Sequence, residues 1–334
     1  MPAPAWLLPA LAAASALGTW LTLRYARRRS LFDQPGERRS HAVPTPRGGG
    51  LGIAVALLLA AAFAAFSGWV SWPQAAAFVG GLTLVAGIGW VDDHRPLSPW
   101  LRLAVQCLAG GVLALGLFGI DGRWGWALLT LGAVPVLVNV WNFMDGIDGL
   151  ATSQALLAAV ALALLTPETA APAGWALAAA CCGFLPFNFP RARIFLGDVG
   201  SGALGYAVAV VALLAASESG TGAVSRGLLV LLPLSAFLVD ASLTLAGRML
   251  AGERWWLPHV SHLYQRWVRA GRSHVFVTGV YALFSFVDGI LALVLNQSAP
   301  GLAGGSTVAW LLLAAILWFL LRRATSTDRN GFAG

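Results

Sequence analysis

The chain has 334 residues, of which 58% are hydrophobic and 10% charged. A soluble domain carries about 25% charged residues, so the composition excludes one and requires burial in lipid. The formal charge of +7 comes from 21 basic residues, all arginine. It favours anionic headgroups and phosphorylated substrates, and nucleic acid is not expected as a partner because the arginines are scattered between apolar segments.

A helical span needs about 20 apolar residues. Eleven are predicted, beginning near residues 5, 49, 74, 101, 124, 150, 174, 200, 226, 275 and 306. The first, at 6–25, has no basic stretch before it and a cluster of arginines at 24–29 after it. That is the reverse of a signal peptide, and it predicts an uncleaved helix with its N-terminus outside. The connections around 67–73, 120–123, 166–173, 217–225 and 297–306 are short and nearly free of basic residues. Nineteen of the 21 arginines fall in the alternate loops and the tail, leaving only Arg123 and Arg226 on the other side. Such a bias marks the cytoplasmic face, so the C-terminus, with Arg322-Arg323, is placed in the cytoplasm and the N-terminus in the periplasm. Trp69, Trp72, Trp90, Trp100, Trp124, Trp126 and Trp175 fall near span ends, as interfacial belts would. Cys107, Cys181 and Cys182 lie inside spans without ligand spacing and read as small core hydrophobes. The expected fold is all-α: one polytopic integral membrane helical bundle of about 11 transmembrane helices, with residues 1–334 as a single domain.

The polar exceptions fall in the predicted cytoplasmic loops, at 24–48, 92–100, 142–149, 190–199 and 248–274. The first holds Arg38-Arg-Ser-His41 and then Pro46-Arg47-Gly48-Gly-Gly50, a basic, glycine-rich stretch that suits a phosphate or a flexible lead-in to the second span. Asp92-Asp93 closes the third span. Adjacent carboxylates repel each other unless a cation intervenes, and the negative end of the helix adds to the repulsion, so the pair suits Mg²⁺ or else begins a solvated loop. Asn139-Val-Trp-Asn142-Phe-Met-Asp145-Gly-Ile-Asp148-Gly concentrates amides and carboxylates at the edge of hydrocarbon, where they are expensive without partners. Phe195-Leu-Gly197-Asp198-Val-Gly200-Ser201 opens the eighth span. It offers backbone N–H groups to an anion and a carboxylate to a metal, or simply an N-cap. In the last long loop, Pro258-His259-Val-Ser261-His262-Leu-Tyr-Gln265-Arg266 supplies two imidazoles and a guanidinium fork for phosphate oxygens or proton relay. Trp255-Trp256 beside it suits the interface. Asp240 and Asp288 lie within spans; Asp240, near the cytoplasmic end, is expected to support the site, and Asp288 has no evident partner.

Taken in order, these motifs resemble the polyprenyl-phosphate N-acetylhexosamine-1-phosphate transferase family over about residues 40–266. The resemblance implies transfer of a sugar 1-phosphate from a UDP-N-acetylhexosamine to undecaprenyl phosphate, with Mg²⁺ (Mn²⁺ as substitute), at the cytoplasmic face of the bacterial inner membrane. It starts a lipid-linked glycan such as O-antigen, and a homodimer would be in keeping with it. Carried onto this chain, it implies metal binding by Asp198 and Asn142 and catalytic roles for Asp92, Asp93, Asp145, Asp148, His259 and His262. It implies substrate contacts for Arg47, Asn139, Asn142, Phe195, Gly197, Gln265 and Arg266, with uracil stacked on Phe195. The chain has His94-Arg95 where the muramoyl-pentapeptide members carry a lysine, and His-Val-Ser-His where they carry three histidines. Both departures point to the polysaccharide-initiating branch and leave open which residue supplies the lysine's charge. Direct attack by the lipid phosphate is favoured over a covalent aspartyl intermediate. The rivals are the same chemistry on UDP-MurNAc-pentapeptide and a cation-coupled transporter, whose carboxylates would gather at mid-membrane on broken helices.

Overall fold

A computed structural model describes residues 4–34, 36, 43–166, 170–217, 227–254, 256–257 and 259–327, with side chains to 325. Arg38, Arg39, Ser40, His41, Arg226, Trp255 and Pro258 lie outside the described residues, as do 167–169 and 218–225 of the predicted outer connections. The helices are α1 (Leu7–Arg28), α2 (Leu51–Phe66), α3 (Trp72–His94), α4 (Pro99–Ala114, continued by a π turn Leu115–Gly119), α5 (Trp124–Phe143) and α6 (Leu150–Leu165). They continue with α7 (Ala171–Asn188), α8 (Gly197–Ser217), a 3₁₀ turn (Leu228–Leu231), α9 (Ser235–Leu250), α10 (Leu263–Arg269), α11 (His274–Ser298) and α12 (Ala303–Thr327).

Among the described residues seven helices are long and apolar enough to cross a membrane: α1, α3, α4 with its π turn, α5, α8, α11 and α12. The four other predicted spans do not meet that measure: α2 and α6 are apolar but have only 16 residues each, α7 has 18 residues with Pro186 inside it and is not apolar enough, and the predicted ninth span is interrupted. Pro233, which has no N–H to donate, separates the 3₁₀ turn from α9. An addition to the all-α expectation is a two-residue antiparallel ladder, β1 (Phe32–Asp33) with β2 (Thr45–Pro46).

Local chemistry sets the helix ends that matter. Ser71 and Gln74 form a capping box at the start of α3. Pro96 forces the residue before it out of the helical region, and Arg95 is extended at φ −145°, so α3 stops just past Asp92 and Asp93. Helix α8 is the centre of the bundle: residues 199–213 are all buried, and it packs on α3, α5, α6 and α2. Its glycines and alanines let neighbouring backbones come close, as small residues do in membranes; a Cβ on Gly200 would stand 2.6 Å from the Gly50 Cα. The N-terminus of α8 is thereby held between the start of α2 and the end of α3.

Candidate active site

Asp93 closes a contact that links two motifs far apart in sequence. Its carboxylate accepts the backbone N–H groups of Asp198 at 3.0 Å and Val199 at 3.2 Å, while Arg47 Nη2 lies 3.0 Å from its Oδ1. The N–H groups that the sequence reading offered to a bound anion are thus taken by the protein's own carboxylate, and Asp93, not Asp198 or Ser201, caps α8. Gly197 makes this approach possible. It has φ +75°, and a Cβ on it would stand 2.6 Å from Asp93 Oδ2. Arg47 is carried there by a backbone splice: Phe195 N–H donates to Pro46 O, Gly49 N–H to Phe195 O and Gly50 N–H to Leu196 O, all within 2.9 Å. The guanidinium of Arg47 also donates to the Asp92 carbonyl and lies 3.7 Å from Asp33. Its groups are directed at carboxylates of the chain, which makes it a clamp on the acidic pair.

Asp92 accepts from Leu97 N–H at 2.6 Å and from Arg102 Nη1 at 2.8 Å. Arg102 lies 3.8 Å from Asp198 Oδ2 as well, so one guanidinium spans both carboxylates. Asp198 is the accessible member, with its side chain 26% exposed against 1% for Asp93. The amide nitrogen of Asn142 donates to Asp198 Oδ1 and, at 3.1 Å, to Ser201 Oγ. In this arrangement Asn142 presents N–H to Asp198, so it orients that carboxylate. Asn139, one turn earlier, donates to Gln106 Oε1 at 2.6 Å and to the Pro135 carbonyl at 2.7 Å. Asn139, Asn142, Gln106, Arg102 and Asp198 line one small pocket with Val85, Ile88, Gly89, Val138 and Gly202.

The two aspartates of the following loop differ. Asp148 is tied down: Ala192 N–H donates to its Oδ2 at 3.2 Å, His274 Nδ1 lies 3.4 Å from its Oδ1, and Thr278 donates to its carbonyl. Asp145 faces the acidic cluster. Burial pushes its carboxyl well above the usual carboxylate range, and the charges of Asp198, Asp93, Asp33 and Asp148 push the same way. Phe195 is partly exposed beside Gly197.

The last motif packs between α9 and the Asn-Asp loop. Asp240, fully buried on α9, accepts Leu263 N–H and Trp318 Nε1 at 2.9 Å and Tyr281 O–H at 2.8 Å. His262 is 2% exposed, stacked between Phe143 and Tyr264, with Nδ1 3.8 Å from Asp240. Gln265 caps α10 by accepting His262 N–H, and Arg266 donates to the Arg322 carbonyl at 3.1 Å. His259 shares a hydrogen bond of 2.9 Å with Ser261 and lies against His262, ring centroids 4.9 Å apart. Burial, with the charges of His262 and Arg248, pushes His259 down to about 4. The motif touches the Asn-Asp loop through Tyr264, whose O–H donates to Phe143 O. Asp288, deep in the bundle, is held by Ser235 and Trp310.

Among the described residues no three His, Cys, Asp or Glu converge to form a closed metal site. Mg²⁺ needs less: one or two carboxylates, with substrate phosphates and water completing the shell. The charge balance fits such an ion: among the described residues, the arginines in ion pairs with Asp92, Asp93 and Asp198 are Arg47 and Arg102, and Asp145 lies in the field of Asp198 and Asp93. Asp93 and Asp92 each have a guanidinium within 3.0 Å; Asp198, with Arg102 more distant at 3.8 Å, and Asp145 are the carboxylates that could hold a divalent cation. The sequence reading missed Arg102, Gln106 and Asp33. Arg102 and Gln106 were detectable, being polar residues four apart on an apolar helix.

A model of glycosyl transferase family 4 matches residues 75–216, which carry Asp92, Asp93, Asp145, Asp148 and Asp198. The decaprenyl-phosphate N-acetylglucosaminephosphotransferase of Mycobacterium tuberculosis (strain ATCC 25618 / H37Rv) is 34% identical over 282 residues, covering 72% of this chain and 69% of that protein. The probable undecaprenyl-phosphate N-acetylglucosaminyl 1-phosphate transferase of Bacillus subtilis (strain 168) is 27% identical over 296 residues, 84% of this chain and 81% of that protein. The phospho-N-acetylmuramoyl-pentapeptide-transferase of Heliobacterium modesticaldum (strain ATCC 51547 / Ice1) matches less of the chain, at 31% over 238 residues, 60% of this chain and 71% of that protein. By this likeness, carried through the stretch that builds the acidic cluster, the chain belongs to glycosyl transferase family 4, as a multi-pass membrane protein among the polyprenyl-phosphate N-acetylhexosamine-1-phosphate transferases.

Proposed function

We propose that the protein moves an N-acetylhexosamine 1-phosphate from its UDP-sugar to undecaprenyl phosphate, releasing UMP and starting a lipid-linked glycan such as O-antigen. The reaction is placed at the cytoplasmic face of a bacterial inner membrane, with eleven crossings and the N-terminus outside. The observation that carries this reading is Asp198, partly exposed at the start of the buried central helix and in the field of Asp92 and Asp145, with fewer cations than carboxylates among the described residues. The acceptor and sugar classes follow the names of the relatives.

Asp198 and Asp145 would hold Mg²⁺, which supplies positive charge to the donor's pyrophosphate and the developing negative charge. Asn142 fixes the Asp198 carboxylate in one rotamer, and Ser201 completes that bond network. Arg102, at 29% side-chain exposure, stands beside Asp198 as the fixed cation for phosphate oxygens; it fills the part that the missing lysine left open. Asp93 and Arg47 hold the start of α8, so Asp93 is a positioning residue, and Asp92 is the better placed of the pair to take a proton from the lipid phosphate. Asn139 and Gln106 shape the pocket beside Asp198. Phe195 offers a ring to uracil. His262 supports the Asn-Asp loop by stacking on Phe143, whose carbonyl accepts from Tyr264, and His259 packs on His262 behind it.

The test is UMP release by the purified full chain in detergent, with undecaprenyl phosphate and a panel of UDP-N-acetylhexosamines, in Mg²⁺ and in EDTA. Release that needs both lipid and metal and falls about 10²- to 10³-fold in Asp198→Asn, the scale of a lost electrostatic catalytic group, is expected. Well-folded protein that releases no UMP from any donor would overturn the reaction, and release unaffected by EDTA would overturn the metal.

A further inference from the structure

A second cavity, of about 490 Å³, opens between α9 and α12, lined by Leu243, Leu250, Trp318 and Phe319 together with Arg266, Arg322 and Arg323. Its volume is that of a ligand site, roughly 300–1,000 Å³. None of its residues lines the pocket beside Asp198. Helix α10 separates the two: Tyr264 points to the Asn-Asp loop, donating to Phe143 O, while Arg266, two residues on, points to α12. Residues two apart on a helix do not share a face. The wall is apolar and uncovered, with Leu250 90% and Phe319 52% exposed. The guanidinium groups gather where the apolar run of α12 ends. Arg322 lies 4.8 Å from the Trp318 ring, Arg323 is exposed, and Arg266 reaches the Arg322 carbonyl at 3.1 Å.

An apolar channel that ends in several arginines presents hydrocarbon and positive charge in the order in which a membrane lipid presents acyl chain and phosphate. Guanidinium is the side chain best shaped to grip phosphate oxygens, and basic clusters at a span end select anionic lipids. We propose that this groove binds an anionic glycerophospholipid, with acyl chain along Leu243, Leu250 and Phe319 and phosphate between Arg322 and Arg323. The polyprenyl acceptor is the poorer occupant, because its phosphate must reach the aspartates and this groove faces away from them.

The test is native mass spectrometry of the purified full chain with phosphatidylglycerol or with phosphatidylcholine of the same acyl chains. Wild type is expected to retain a phosphatidylglycerol that survives detergent stripping, and not to retain phosphatidylcholine. The Arg322→Gln/Arg323→Gln variant should lose that lipid. So should Ala246→Trp, which fills the groove wall while leaving the charges in place. Equal retention by all three proteins, or equal retention of the two lipids, would overturn the site. Displacement of phosphatidylglycerol by undecaprenyl phosphate, mole for mole, would overturn the occupant. So would a shift from dimer to monomer in Ala246→Trp with retention unchanged, which would assign the groove to a second copy of the chain.

Discussion

Gly197 has no room for a side chain and a backbone that only glycine adopts without strain. With φ +75° and Asp93 Oδ2 2.6 Å from any added Cβ, Gly197→Ala must push the Asp93 carboxylate off the N–H groups of α8. The left-handed conformation alone costs about 1–2 kcal/mol. Transfer activity is expected to fall at least about tenfold, the equivalent of about 1.4 kcal/mol, with a lower melting temperature; wild-type turnover would show that Asp93 is not the cap that matters. His259 yields a pH prediction with a definite sign. Its ordinary value is about 6.5, and burial together with His262 and Arg248 lowers it to about 4 in the folded protein. The unfolded chain therefore takes up the proton first as pH falls. The stability contribution is complete above about 6.5 and is lost progressively toward about 4. His259→Gln cannot lose it, so melting temperatures of wild type and variant should converge between pH 7.5 and 5. Parallel curves would mean that the ring is not buried as described.

At the scale of elements, α10 is too short to hold itself. It has seven residues, below the length at which an isolated helix is even marginal in water. Its N-terminal donors end on the Asp240 carboxylate, which also accepts from α11 through Tyr281 and from α12 through Trp318. One carboxylate thus joins three helices to the His-x-x-His motif. Asp240→Asn replaces an acceptor facing several donors by a group that carries N–H itself, at a cost of about 2–3 kcal/mol. Faster tryptic cleavage near Arg266 and Arg269, with a lower melting temperature, is the expected outcome. Unchanged proteolysis would show that α10 is anchored by its apolar face instead. Asp288 makes a smaller joint of the same kind, with Ser235 and Trp310, which accounts for an intramembrane acid remote from the cluster.

For the whole molecule, the sidedness read from the arginines remains the claim most open to direct measurement. The chain has three free cysteines; with these replaced, Asp121→Cys and Glu253→Cys place a single thiol on an exposed residue of each predicted face. A membrane-impermeant maleimide should label Asp121→Cys in intact cells and Glu253→Cys only after permeabilisation. The opposite pattern would invert the topology and put the acidic cluster outside. The bundle itself is organised around α8, whose small residues admit α2, α3 and α5 to close range, so the ends of those helices meet where Asp198 begins.

The sequence alone determined the membrane class, most helix starts to within a few residues and the motifs that fold into the acidic cluster. Those properties are written locally, in runs of apolar residues and in costly polar groups at their ends. It did not determine which donor meets which acceptor. That Asp93 caps a helix 105 positions away, that Arg102 spans Asp92 and Asp198, and that the His-x-x-His segment rests on Asp240 were decided by tertiary packing. A carboxylate's partners depend on how helices approach one another across the bundle, and no spacing along the chain records that distance.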